Sequence, residues 1–404
     1  MITLSDINQA KKQLGDAIQH TPCPYSHTLS ELTGCHTYHK LESFQMTGSF
    51  KERGALNRLL SLDEQERSRG VIAASAGNHA LGIAYHARRL SIPATIVMPV
   101  GSPLIKVSSV RREQAKVVLY GENYDEAYQH ALDIAAQEKN IYIHAFNDSA
   151  VIAGQGTIGL ELLDEPIPID AIIVPVGGGG LIGGIALAIK EQRPQIKIIG
   201  VESANAASML MSIEKHEVTE VRTSTTIADG IAIKRVGNIT FPLVQKYVDE
   251  VVTVSEEEIA NAILLLLEIE KIVAEGAGAV PLAALVNHKI LHLEGKHVVC
   301  ILSGGNIDVN LLSRIIERGL AKDGRMAKLR VRIPDRPGIL GKLSTVMGEC
   351  RANILDISHN REFPNTPLGE NEVDFVLETK GPDHIEEIIK QLKNIGYQVE
   401  NLSH

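Results

Sequence analysis

Four short segments of this 404-residue chain combine residue types that could do covalent or anion-binding chemistry. In Gly48-Ser49-Phe50-Lys51-Glu52-Arg53-Gly54-Ala55, a small polar turn leads into a helix predicted to start near Lys51, with Ala55, Leu56, Leu59 and Leu60 on its buried face. The positive end of the helix dipole there disfavours an ammonium and pushes the amine toward a neutral nucleophile suited to a Schiff base. A solvated lysine in a first helical turn fits the same pattern. Ser75-Ala76-Gly77-Asn78-His79 lies between a strand-like run and a helical pattern. Consecutive N–H groups at a helix start, with small side chains around them, suit a substrate carboxylate, and Asn78 adds a neutral donor for a phenolate oxygen. An ordinary N-cap turn is the alternative.

The third segment, Gly177-Gly178-Gly179-Gly180-Leu181, follows the apolar run Ala171 to Val176. Four glycines strip away Cβ atoms so that backbone can wrap a phosphate at a helix N-terminus. A dinucleotide fingerprint also fits loosely through Gly178, Gly180 and Gly183 or Gly184, with Glu202 as its acidic residue. The fourth segment, Ser303-Gly304-Gly305-Asn306, ends the apolar run His297 to Leu302. A hydroxyl at the carboxyl end of a strand in an open α/β sheet faces the ligand crevice, although alone the segment is only a turn.

The elements that must position these segments alternate. Apolar runs near residues 70–74, 94–98, 115–120, 170–176, 196–201, 250–254 and 297–302 are separated by helical patterns. That alternation predicts βαβ units and mainly parallel, buried sheets, an α/β architecture. The segment Ala171 to Ile189 reads as strand, glycine turn and buried helix rather than a membrane span, because Pro175 and six glycines interrupt it. The last 80 or so residues change character. Alternation at Leu329, Val331 and Ile333, helical spacing from Ile339 to Met347, strands at Ile354 and at Val373 to Leu377 around a polar loop 361–370, a helix from Ile385 to Ile395 and a strand at Tyr397 predict βαββαβ, a ferredoxin-like unit. Ala321 to Met326 reads as a polar linker, so domains of 1–322 and 323–404 are expected, with a small subdomain at about 48–150 inside the first.

Composition narrows the partners. A net charge of −9, aromatic residues at 4% and no tryptophan disfavour nucleic acid and anionic membranes. Cys23, Cys35, Cys300 and Cys350 form no CxxC pair, which speaks against a zinc site or a disulfide scaffold and fits a reducing cytosol. The N-terminal MITLSDINQAKKQLGDAIQH lacks an apolar signal region, so a cytoplasmic location is expected.

Taken in this order, the four segments resemble those of fold-type II pyridoxal-phosphate enzymes, the tryptophan synthase β-like group. Within them residues 5–320 look like the threonine dehydratases (threonine ammonia-lyases) and serine racemases. The resemblance implies pyridoxal 5′-phosphate as cofactor, bonded by Lys51, flanked by Phe50, with Asn78 on its 3′-oxygen, Gly177, Gly178, Gly179, Gly180 and Leu181 on its phosphate and Ser303 near its pyridine nitrogen. The residues Ser75, Ala76, Gly77, Asn78 and His79 would then hold the substrate carboxylate. Glu275 resembles the family's acidic residue near the amine, with helix capping as its alternative role. The implied reaction converts L-threonine to 2-oxobutanoate and ammonia, with L-serine a second substrate. A racemase-type enzyme, or a catalytically weak amino-acid sensor, is the alternative.

Two positions bear on that choice. Serine racemases place a serine where Ala76 stands, and a methyl cannot move a proton. Their divalent-cation site maps to Glu202 and the Ala206 carbonyl, but Ser208 stands where they carry an aspartate, so no tightly bound metal is expected. The tail resembles an ACT domain, carried by Asp335-Arg-Pro-Gly-Ile-Leu340 and by His359-Asn-Arg-Glu-Phe363. The resemblance implies an amino-acid effector, isoleucine first and valine second, held by Asp335, Gly338 and Asn353 where two such domains join, and a homo-oligomer, dimer or tetramer.

Overall fold

Runs of β-branched residues bounded by turns set the strands, and helices between them cover both sheet faces. The computed structural model describes residues 2–360 and 369–403. The chain divides into two units, Met1–Ile307 and Asp308–His404.

The first unit carries β1 (His36–Leu41), β2 (Val71–Ala74), β3 (Ala94–Met98), β4 (Lys116–Leu119) and β5 (Ile141–Tyr142). It continues with β6 (Ala171–Pro175), β7 (Lys197–Ser203), β8 (Glu250–Val254) and β9 (His297–Leu302). They make two parallel sheets, in the orders β1-β9-β6-β7-β8 and β4-β3-β2-β5. In the larger sheet Ile172 and Val174 share a core with Ile182, Ile185 and Ile189 of helix Gly180–Lys190. In the smaller, Val71, Ala73, Ile96 and Met98 pack with Ile83, Ala84 and Ala87 of helix Asn78–Arg89. The expected α/β class with parallel sheets is what forms.

The second unit opens with helix Val309–Lys322 and then runs β10 (Met326–Pro334), helix Ile339–Glu349, β11 (Asn353–Asn360), β12 (Glu370–Glu378), helix Pro382–Asn394 and β13 (Gln398–Asn401). This is the expected βαββαβ order, in an antiparallel sheet β11-β12-β10-β13. Leu329, Val331 and Phe375 pack there against Leu343 and Ile388. Most of the expected polar loop, and Arg361 to Phe363 of the tail motif, lie outside the described residues.

One expectation needs correction, and one strand is new. The stretch read as a linker begins as helix, because Val309–Lys322 runs through Ala321 and Lys322 and stops only before Gly324, whose φ is +66°. Alanine and lysine are good helix formers, so polarity alone did not end the helix. Strand β1 was not expected, since His36, Thr37, His39 and Lys40 do not read as a buried run. Its burial is made tolerable by ion pairing, and the same pairing seats the helix that carries Lys51.

That helix, Lys51–Leu60, is buried on more than the apolar face its sequence offers: Glu52, Arg53 and Asn57 are buried with Ala55, Leu56 and Leu59, while Leu60 is half-buried. Arg53 donates from Nε to Glu42 Oε2 at 2.7 Å and from Nη1 to Glu161 Oε1 at 2.5 Å. The Lys40 ammonium reaches Glu161 Oε2 at 2.7 Å and donates to Thr21 O at 2.6 Å. Two cations and two carboxylates thus cancel out of water. Burial pushes the Glu42 carboxyl up, but Arg53, Thr21 and Lys40 outweigh it and hold it below its ordinary range. Against helix Ser149–Asp164 the approach is backbone to backbone: a Cβ on Gly154 would lie 2.6 Å from Arg53 O, and one on Gly54 2.7 Å from Val151 O.

Arg53→Ala leaves two carboxylates facing one buried lysine, and stability is expected to fall by about 3–5 kcal/mol in urea unfolding near neutral pH. Glu42 has a depressed folded pKa, so its stabilisation is present above the unfolded carboxylate range and lost as pH falls through the folded value. The deficit of the variant should therefore shrink toward acid pH.

Candidate active site

The two segments farthest apart in sequence are zipped together by backbone. Ser49 and Gly304 form an antiparallel bridge. The Phe50 N–H donates to Ser303 O at 3.0 Å, and the Gly305 N–H to Gly48 O at 3.0 Å. Ser303, at the carboxyl end of β9, is buried, and Lys51 opens its helix next to it in the zipper.

The Lys51 ammonium donates to Ala145 O at 3.1 Å and sits 4.9 Å from the Phe50 ring centre. Burial pushes its pKa down to about 8, with Glu275 pulling the other way. Desolvation, more than the helix dipole the sequence suggested, brings this amine near neutrality. Next to Ala145, Phe146 reaches the glycine tetrad: a Cβ on Gly178 would lie 2.2 Å from its ring. Lys51 and the tetrad are therefore joined through Ala145-Phe146, a pair with no signal of its own in the sequence.

The tetrad turns on Gly179, with φ +90°, and helix Gly180–Lys190 starts behind it. The first bond of that helix is Gly183 N–H to Gly179 O at 2.9 Å, so the N–H groups of Gly180, Leu181 and Ile182 precede the helical ladder. Bare backbone at a helix start, with no room for a side chain, fits a phosphate group.

Asn78 begins helix Asn78–Arg89, whose N-cap Gly77 offers no side-chain cap. Rather than capping, the Asn78 amide donates to Glu275 Oε1 at 2.8 Å and Oε2 at 2.9 Å. Glu275 precedes helix Gly276–Val286 and does not cap it either, which removes the capping alternative. Burial pushes the Glu275 carboxyl up to about 7, against the pull of Asn78, and Asp229 adds to the rise. Asn306 Nδ2 completes the row, donating to Asn78 Oδ1 and to Thr47 O, both at 2.8 Å. Asn306 carries no signal of its own beyond closing the Ser303–Asn306 turn.

In the Ser75–His79 segment, Ser75 is half-buried and its Oγ accepts from Gly77 N–H at 3.2 Å, while Ala76 packs on the small-sheet core. The His79 ring turns away from the others: it is buried, Nε2 bonds Ile143 O at 3.0 Å, and burial, with Lys51, lowers its pKa to about 3. Its Nδ1 is buried without a hydrogen-bond partner among the described residues. His144 was not foreseen. Its Nδ1 accepts from the Phe146 and Asn147 N–H groups at 3.2 and 3.0 Å, and burial, with Lys51, lowers it to about 4.

Glu202 belongs to none of this. Buried at the end of β7, it accepts from Met209 and Leu210 N–H at 2.8 Å each, at the start of helix Ser208–Lys215, and burial pushes it up to about 8. A ribose hydroxyl has no claim on it, and the dinucleotide alternative falls. In the second unit, Gly338 has φ +87° at the start of helix Ile339–Glu349, and Asp335 N–H donates to Gly369 O at 2.9 Å. Asn353 is not beside them: it pairs through Glu378 with Met326, whereas Pro334 pairs with Glu370 at the other end of the sheet. One chain does not bring the three effector residues together. Among the described residues no helix is long and apolar enough to cross a membrane.

Comparison with known proteins shows the family. Residues 14–304 match the family of pyridoxal-phosphate dependent enzymes, and residues 327–396 match the ACT domain. An L-threonine ammonia-lyase of Thermotoga maritima is 49% identical over 399 residues, 99% of each chain. The processed form of threonine deaminase isoform 2 from Solanum lycopersicum superposes with TM-score 0.74 at 39% identity, over 78% of this chain and 91% of that one. Maize serine racemase superposes with TM-score 0.75 at 33% identity, over 80% and 98%. The match over residues 14–304 and the likeness to the Thermotoga maritima enzyme over 99% of each chain show that this chain belongs to the threonine ammonia-lyase family of pyridoxal-phosphate dependent enzymes, with an ACT domain over residues 327–396.

Proposed function

We propose that the enzyme removes water and ammonia from L-threonine to give 2-oxobutanoate, and acts on L-serine to give pyruvate. The observation that carries this reading is the Lys51 amine, held near neutrality beside the backbone zipper to Ser303 and linked through Ala145-Phe146 to the glycine tetrad. Bound pyridoxal phosphate supplies an electron sink for negative charge at the substrate Cα. Lys51 would hold the cofactor through its amine and, when free, would take the Cα proton of the substrate. Phe50 would flank the ring, and the N–H groups of Gly177 to Leu181 would hold the phosphate. The Asn78 amide would donate to the 3′-oxygen, and the Ser303 hydroxyl would meet the pyridine nitrogen. The backbone of Ser75 to His79 holds the substrate carboxylate. Glu275, raised to about 7, is able to hold or release a proton near the substrate amine.

Ala76 supports elimination over racemisation, since its methyl offers no proton carrier for a second face. We place the catalytic domain at 1–322, with its small subdomain at about 48–150, and the ACT domain at 323–404, in a cytoplasmic homo-oligomer that supplies isoleucine synthesis. The effector is isoleucine. With Asn353 at the far end of the sheet from Asp335 and Gly338, a site using all three needs ACT domains of two chains side by side.

Three measurements check this reading. Lys51→Ala should fold, lose the visible absorbance of bound cofactor and lose at least about a hundredfold in threonine dehydration, because nucleophile and base vanish together; near-normal turnover would sink the assignment. Gly178→Ala must push its methyl into the Phe146 ring, and overpacking of this kind costs about 1–3 kcal/mol. Equilibrium dialysis should report the resulting displacement of the tetrad as weaker cofactor binding, and unchanged binding would take the tetrad out of the phosphate site. Isoleucine should release or absorb heat on the full chain and shift the threonine saturation curve. Gly338→Asp should abolish both at an unchanged melting temperature, whereas curves indifferent to isoleucine in the wild type would leave the domain without this effector.

A further inference from the structure

A single side-chain amide decides which way Asn78 faces. The Thr47 carbonyl can only accept, so the Asn306 group that meets it at 2.8 Å is the nitrogen. The other hydrogen of that nitrogen goes to Asn78, 2.8 Å away, which must present its oxygen. The Asn78 nitrogen is then turned toward Glu275, on the opposite side of the amide. Space for the row is kept by Gly48: with φ +75°, it bears no Cβ, and one placed there would lie 2.6 Å from Asn306 Oδ1.

We infer that Asn306 is a positioning residue, which locks the Asn78 amide so that an N–H rather than an oxygen faces the 3′-oxygen of the cofactor. The inference rests on the role proposed above for Asn78. Without the lock, orientation depends on Glu275. An ionised carboxylate only accepts and would still turn the nitrogen toward itself. A protonated one can donate, and then either end of the amide satisfies it. Glu275 lies near the middle of that change at neutral pH, in a field made by burial, Asp229, Lys106 and Lys51. Asn306 makes the orientation independent of that proton. Its exposed place at the cleft wall lets it be replaced without disturbing the core.

The test is reconstitution of cofactor-free enzyme, followed by cofactor affinity and by the position of the bound cofactor's visible band. Relative to wild type at the same pH, Asn306→Ala should weaken binding about three- to tenfold near pH 6, where Glu275 is protonated, and by under about twofold near pH 8.5. Asn306→Asp has the same shape but only accepts, so it pulls the Asn78 nitrogen away and should weaken binding and move the band at both pH values. In an Asn78→Ala background, Asn306→Ala should add nothing. An Asn306→Ala loss that is equal at both pH values, or one that persists undiminished in the Asn78→Ala background, would overturn the inference alone. An Asn78→Ala enzyme that binds cofactor with the wild-type affinity and spectrum would remove the Asn78 role, and this inference with it.

Discussion

Everything that Lys51 can do depends on an ion cluster on the other side of its helix. Two residues along a helix turn the side chain by about 200°, so Arg53 points inward when Lys51 points to the cleft. Arg53 is forked between Glu42 and Glu161, and Lys40 closes the set from β1. Such a buried group adds little net stability over a well-packed apolar one, but it tolerates only one arrangement, because any misplaced member is left charged and unpaired. It ties together the turn after β1, the helix Lys51–Leu60 and the helix Ser149–Asp164. The Gly54 and Gly154 contact then fixes the distance between the two helices at backbone range. A helix held this tightly can carry a reactive amine at its first residue without letting the amine wander.

The chemical segments were legible because each rests on short-range physics. A β-branched run before four glycines and an apolar helix can hardly be anything but β6, a phosphate-sized turn and helix Gly180–Lys190. The ACT unit was legible for the same reason: alternation at Leu329, Val331 and Ile333 becomes the inner face of β10. What stayed hidden was pairing across sequence distance. His36, Thr37, His39 and Lys40 read as polar surface, and only the partners of Lys40, Thr21 O and Glu161, explain a buried strand there. Ala145-Phe146 carries no motif, yet joins Lys51 to the tetrad. His79 sits inside a recognisable segment but spends its side chain on Ile143 O, because a helix start fixes where the backbone points and leaves each side chain to its own neighbours.

The cleft itself is arranged so that few charges compete with the two that matter. Burial holds His79 and His144 neutral, at about 3 and about 4, and each bonds backbone groups that need no charge. With the imidazoles silent, the titration near neutral pH belongs to Lys51 and Glu275, pushed toward each other to about 8 and about 7. Desolvation moves an amine and a carboxyl in opposite directions, so one dry cleft brings both groups toward their neutral forms together. Their mutual attraction opposes both shifts, and the row Asn306–Asn78–Glu275 loads the carboxylate with hydrogen bonds. The cleft therefore cannot be dried indefinitely to sharpen the base: each further loss of water would protonate Glu275 and surrender the acceptor that orients Asn78. In the arrangement inferred for Asn306, a backbone anchor such as Thr47 O, which has no proton to lose, would relieve that conflict.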